Sequence, residues 1–169
     1  WPVNADVLGM ARRITRMAGG RLESLRAALE AGRDADAWTA ARALLAGRPK
    51  DARTLSLCGA AAYKAGDPET ALDLLGRASR AQPRDPEIRM NLANVFAGEG
   101  RTDEALAAYG EAHDLAPAYA EPAYNAGVSL ARVGRHLQAA AWFEKALARD
   151  PDHGAATIGL AVDDIERLA

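Results

Sequence analysis

The chain has 169 residues and a formal net charge of −2; hydrophobic residues make up 49% and aromatics 5%. That charge excludes a nucleic-acid binder, which needs a basic stripe to neutralise phosphates, and no run approaches the roughly 20 apolar residues that span a bilayer. Much of the apolar share is alanine, which suits closely approaching helices better than a bulky core, and the single cysteine, Cys58, excludes an internal disulfide without fixing the redox compartment.

Residues 1–17 carry Val7, Leu8, Met10, Ala11, Ile14 and Met17 on one apolar face of an expected helix. Asn4 or Asp6 would cap its start. Arg12, Arg13 and Arg16 form its solvated face, with a basic patch beside a removed anchor as the alternative. The start at Trp1 rather than Met points to trimming, which leaves cytoplasmic and periplasmic settings both open. Gly19–Gly20 are expected to break the chain. Four segments of equal length follow, 18–51, 52–85, 86–119 and 120–153, each predicting two short amphipathic helices joined by a tight turn. The first segment is the least regular: Leu25 stands where later ones carry a small residue, and Trp38 is expected in the core. Residues 154–169 repeat the opening of a segment, with Ile158, Leu160, Ala161, Val162 and Ile165 apolar, then turn acidic at Asp163, Asp164 and Glu166.

The segments superpose on a 34-residue period: Pro49, Pro83, Pro117 and Pro151; Gly32, Gly66, Gly100 and Gly134; Ala37, Ala71, Ala105 and Ala139; and Gly59, Ala93 and Gly127. A period of this length marks a stacked solenoid. Each recurring residue has a task. The small residues let the two helices of a hairpin approach closely, the glycines end the first helix in the left-handed conformation, and the prolines end the second. Tyr109 and Phe143 fill the space between hairpins.

The pattern in residues 18–153 resembles the tetratricopeptide repeat (TPR). The resemblance implies an all-α, right-handed superhelical solenoid of antiparallel helix hairpins. It would hold four repeats, an N-terminal capping or half-repeat helix at 1–17 and a C-terminal capping helix at 154–169. It implies a binding scaffold rather than an enzyme.

The chain carries little that points to chemistry. His113, His136 and His153 match no metal spacing and are expected on the surface. Cys58 lies beside Gly59 on a buried face, as a small hydrophobe. Gly98-Glu99-Gly100 falls at a helix end rather than after a strand, so no dinucleotide site is expected. No catalytic residue, metal or cofactor is assigned.

The resemblance also implies where binding would occur, on a concave surface lined by the first helix of each repeat. That surface would include Arg26, Glu30, Ser56, Glu87 and Glu121, and eight further residues on it are assigned to partner binding. They are Tyr63, Lys64, Asn91, Asn94, Tyr124, Asn125, Val128 and Arg132. Asn91 and Asn125 are equivalent, and their carboxamides would both donate to and accept from the backbone of an extended peptide; local bonding within the solenoid is the alternative. Lys64 and Arg132 would favour acidic partners. The clamp by which some TPR domains hold a chaperone's terminal carboxylate is not expected. The corresponding residues, Ser56, Ala60, Asn91, Glu121 and Asn125, or Leu22, Arg26, Leu57, Glu87 and Asn91 one repeat earlier, lack the positive charge it requires. The expected partner is a protein or peptide segment, in a bacterial envelope, pilus or secretion assembly. A TPR domain of a larger enzyme, of glycosyltransferase or sulfotransferase type, and a self-associating structural module are the alternatives.

Overall fold

A computed structural model describes residues 19–47, 49–157 and 159. Every regular element among them is an α-helix: α1 (residues 19–30), α2 (Asp34–Leu45), α3 (Ala52–Lys64), α4 (Pro68–Ala81), α5 (Pro86–Gly98), α6 (Thr102–Leu115), α7 (Glu121–Ala131), α8 (His136–Leu147) and the start of α9 (residues 154–157). The helix expected over residues 1–17 and the acidic end of the one expected over 154–169 lie outside the described residues. The chain divides into two compact units, Trp1–Ala81 and Gln82–Ala169. In the first, α2 packs on α3 and α3 on α4; in the second, α5 packs on α6, α6 on α7 and α7 on α8, while α5 also reaches α7.

The turn inside each hairpin is built the same way four times. At the end of α5, Gly100 takes φ 72°, a left-handed conformation in which a side chain would be strained. Its N–H then donates to the Ala97 carbonyl at 3.2 Å, and the Arg101 N–H donates to the Phe96 carbonyl at 2.9 Å. This pair of bonds satisfies carbonyls that the helix end would otherwise leave open. The same two bonds recur at Gly32, Gly66 and Gly134. The residue after the glycine also begins the next helix and bonds forward three positions: Arg33 to Asp36 at 3.0 Å, Arg101 Nε to Glu104 at 2.6 Å and Arg135 Nε to Gln138 at 2.6 Å. At the equivalent place Asp67 accepts from the Thr70 N–H at 3.0 Å, and the Thr70 side chain first, then this backbone bond, hold its carboxyl below the usual range. The Arg101 guanidinium also lies 4.5 Å from the centre of the Phe96 ring. The cation over the ring thus stands where such turns commonly place an apolar contact.

Hairpins close on a small residue facing a large one. A Cβ added at Gly59 would sit 2.7 Å from Leu75 Cγ, and one at Gly127 would sit 2.6 Å from two carbons of the Phe143 ring. Both distances are shorter than any carbon–carbon contact allows, so α3 meets α4, and α7 meets α8, closely enough that only glycine fits. In the repeat between them Ala93 takes the glycine's position, with Tyr109 at the equivalent of Leu75 and Phe143, and both are buried. Phe143 is also close to Gly159, whose Cβ would lie 2.8 Å from the ring tip. It therefore centres a cluster made with Ala120, Ala123, Leu130, Ala139, Ala146 and Ala156. Burying one such ring stabilises by roughly 1.5–3 kcal/mol.

The structure corrects several expectations. Gly19 and Gly20 are helical, in the first described turn of α1, and the Ser24 hydroxyl donates to the Gly20 carbonyl at 2.9 Å. Among the described residues a side chain added at either glycine would meet nothing. Proline does not set the end of every second helix: α2 and α8 stop at Leu45 and Leu147, well before Pro49 and Pro151. The histidines are half-buried rather than exposed. His113 lies edge-on to Trp142 with ring centres 6.3 Å apart, and burial first, then Lys145 and Arg149, push its imidazolium below the ordinary range against the opposing pull of Asp114. Lys145 covers Trp142, 3.9 Å from the ring centre. His153 caps α9, its Nδ1 accepting from the Ala156 N–H at 3.1 Å, at the repeat position where Asp51 and Asp85 cap α3 and α5.

Gly127→Ala is expected to lower the unfolding free energy by about 1–3 kcal/mol through overpacking against Phe143. The same change in a Phe143→Leu background should have a clearly smaller effect. Urea denaturation of the four proteins in this cycle measures the coupling, and additive effects would refute the contact.

Candidate functional site

Two stripes face each other on the first helices of the second unit. On α5, Glu87, Asn91, Asn94 and Gly98 follow at intervals of four, three and four, so they share one helical face. On α7 and its cap, Glu121, Asn125, Val128 and Arg132 follow in the same register, each 34 residues after its counterpart. The stripes meet at their middle, where Asn125 Nδ2 lies 3.5 Å from Asn94 Oδ1. A stronger bond reaches the same oxygen from α6: the buried Tyr109 hydroxyl donates to Asn94 Oδ1 at 2.7 Å. That bond fixes the plane of the Asn94 amide and turns its N–H donors away from Tyr109. Asn91, Asn94 and Asn125 are all half-buried, so each retains an accessible edge, and the Ser129 hydroxyl donates to the Asn125 carbonyl at 2.8 Å.

Tyr124 and Val128 flank the amides. Both are partly buried against the Phe143 cluster. The Tyr124 ring centre lies 6.0 Å from that of Phe143 and 4.9 Å from that of His153. A ring held from two sides presents its remaining face without much loss of rotamer freedom.

The two ends of the stripes differ in charge. At the helix starts, the exposed Tyr119 phenol is raised above its ordinary range, first by partial burial and then by the carboxylates of Glu121 and Glu87. Glu121 Oε1 also lies 3.6 Å from His153 Nε2. At the helix ends, Arg132 lines a small open cleft with Ala97, Gly98, Gly100, Thr102, Ser129 and Val133. Arg132 is exposed and forms no ion pair among the described residues.

Tyr63 and Lys64 belong to the first unit, at the end of α3. Tyr63 is half-buried; Lys64 is exposed, with Nζ 3.9 Å from Asp34 Oδ1, an exposed pair that contributes little. Ser56, expected on the binding surface, is buried. The sequence did not single out Tyr109 as the group that orients Asn94, nor Thr102 and Ser129 as lining residues. Only Tyr109 carried a signal, since it is a tyrosine at a position where the next repeat has Phe143 and a hydroxyl in a core requires a partner.

The remaining reactive groups are quiet. The Cys58 thiol is fully buried, donates to the Ala41 carbonyl at 3.8 Å, and is pushed up to about 12 by burial and by Asp51; it stays a neutral thiol at physiological pH. Among the described residues no group of three or more His, Cys, Asp or Glu side chains is placed to hold a metal ion, and no described helix is long and apolar enough to cross a membrane.

The sequence profile of the tetratricopeptide repeat matches residues 59–120, 98–154 and 124–162, which together span more than half of the chain. The chain is a tetratricopeptide repeat protein. No curated protein is similar to this TPR protein in sequence. Solved structures are. The crystal structure of MamA has a TM-score of 0.70 at 21% identity, with 83% of this chain and 82% of that one covered. YrrB, a TPR protein with an unusual peptide-binding site, has a TM-score of 0.69 at 24% identity over 90% and 86%. The first TPR of Spaghetti (RPAP3), bound to the HSP90 peptide SRMEEVD, has 0.65 at 20% over 70% and 94%. At these identities the likeness establishes the TPR fold alone.

Tyr109→Phe removes the hydroxyl that holds Asn94 and is expected to cost about 0.5–1.5 kcal/mol in urea unfolding. Unchanged stability, with unchanged Asn94 side-chain amide resonances, would show that the bond does not form.

Proposed function

We propose that this protein is a non-catalytic interaction module that holds an extended or helical segment of a partner protein against the first-helix face of its repeats. The observation that carries the reading is the row of Asn91, Asn94 and Asn125 on adjacent first helices, flanked by the half-exposed Tyr124 and Val128. Carboxamides that offer both a donor and an acceptor suit the amide groups of a peptide backbone and ask little of its sequence. Tyr124 and Val128 supply apolar area, and Arg132 supplies a charge at one end. Tyr63 and Lys64 take the corresponding part in the first unit. YrrB's peptide site and the peptide bound to RPAP3 support a peptide ligand by analogy of fold. The Ala-, Arg- and Gly-rich composition suggests a bacterial source, and the setting we propose is assembly in a bacterial envelope, pilus or secretion system.

The test is affinity capture from the source organism's lysate with wild type and with the Asn91→Ala/Asn125→Ala double variant, read by mass spectrometry. The Asn125–Asn94 contact is long at 3.5 Å, so the variant should stay folded, with a thermal midpoint close to wild type. Capture of a partner by wild type that falls at least about tenfold in the folded variant, a loss of about 1.4 kcal/mol, is the expected result. An identical set captured by both, or only further copies of the chain, would overturn it.

A further inference from the structure

Register and two contacts tie the stripes together: Glu87 and Glu121 hold equivalent places at the two helix starts, Asn94 meets Asn125, and Gly98 and Arg132 line one cleft. The face is therefore a continuous track with carboxylates at one end, amides in the middle and a guanidinium at the other. Glu87, Glu121 and Arg132 are all exposed, and neither Glu87 nor Arg132 is paired with another side chain among the described residues. Glu121 keeps one neighbour, the His153 ring. Arg89, two residues from Glu87, is drawn off the track: its Nε lies 3.0 Å from Glu111 of α6, and it donates to the Pro83 carbonyl. The two charges thus stand without local neutralisation.

Resting on the peptide-binding reading above, the geometry points to a bound segment of fixed charge order: a basic side chain at the Glu87–Glu121 end and an acidic one at the Arg132 end. The spacing follows from the helix. Glu121 and Arg132 are eleven residues apart on α7 and its cap, about 16 Å at the α-helical rise. An extended chain covers that distance in about five residues. The preferred ligand is therefore an extended segment with opposite charges about five residues apart, the residues between them bonding through their backbone to the amides. The acidic end alone would repel the terminal carboxylate that basic clamps accept, and the pairing of both ends selects a segment that is neutral overall. Exposed pairs of this kind each contribute roughly 0.2–1 kcal/mol, so charge order sets selectivity and direction while the amides and the apolar flank carry affinity.

The test is selection from a randomised library of peptides about seven residues long, blocked at both ends so that only side chains carry charge. The selecting proteins are wild type, Glu87→Gln/Glu121→Gln and Arg132→Gln, with retained helical circular dichroism as the check on folding. The expected result is enrichment by wild type of Lys or Arg paired with Asp or Glu about five positions away. The double glutamine variant should lose the basic preference only, and Arg132→Gln the acidic preference only, with each change weakening an enriched peptide about two- to tenfold at low salt. Enriched peptides without a charge pattern, or with a pattern that survives in the variants, would overturn the charge order and leave peptide binding standing. No enrichment by wild type would overturn both.

Discussion

Everything in this structure depends on how closely the two helices of a hairpin can approach. At Gly127 the backbone of α7 comes so near the Phe143 ring that a single added methyl would overlap it, and Gly59 stands in the same relation to Leu75. The large residue on the second helix fills the space that the small residue on the first leaves open. Once that face of the first helix is consumed by its partner, the next hairpin covers a second face and one stripe stays outside. The turn supports this arrangement. A left-handed glycine with two backward hydrogen bonds reverses the chain within three or four residues, so the second helix has little freedom to settle elsewhere.

The stripe left outside has the chemistry of a backbone reader. Asn91 and Asn125 recur because the repeat recurs, but Val128 takes the place of Asn94 in the next repeat, and that difference gives the face its middle. Tyr109 links this surface to the core: its ring fills the α5–α6 crossing while its hydroxyl holds the Asn94 amide. A binding amide oriented from beneath by a core residue is partly preorganised, which lowers the ordering entropy lost when a ligand arrives. The surface ion pairs have a smaller part. Arg135 reaches Asp103 at 2.6 Å across successive hairpins, but Asp103 is largely exposed, and the pair steadies register more than it adds stability.

The repeat itself was legible in the sequence because its constraints are local. A glycine at a left-handed turn and a small residue at a helix crossing are demanded position by position, so Gly100 and Gly127 carry their meaning alone. Burial imposed by a distant partner was not legible. Ser56 was placed on the surface by its repeat position and is buried, and the histidines read as surface residues because Trp142 and Tyr124, which cover His113 and His153, arrive from other helices. Gly19–Gly20 misled for a different reason: glycine weakens a helix by about 1 kcal/mol against alanine without ending it. In the candidate site, the register of the asparagines could be read from a 34-residue subtraction. The Tyr109–Asn94 bond that decides how one of them lies could not, since it joins two helices through side chains alone.

The most direct measurement is site-specific photo-crosslinking in the source cell, with a benzophenone side chain placed at Val128 on the α5–α7 face or at the exposed Ala141 on α8. The account predicts a discrete cross-linked partner from position 128 and none from position 141. Cross-links from position 141 with none from position 128 would place the working surface on the second helices and contradict it.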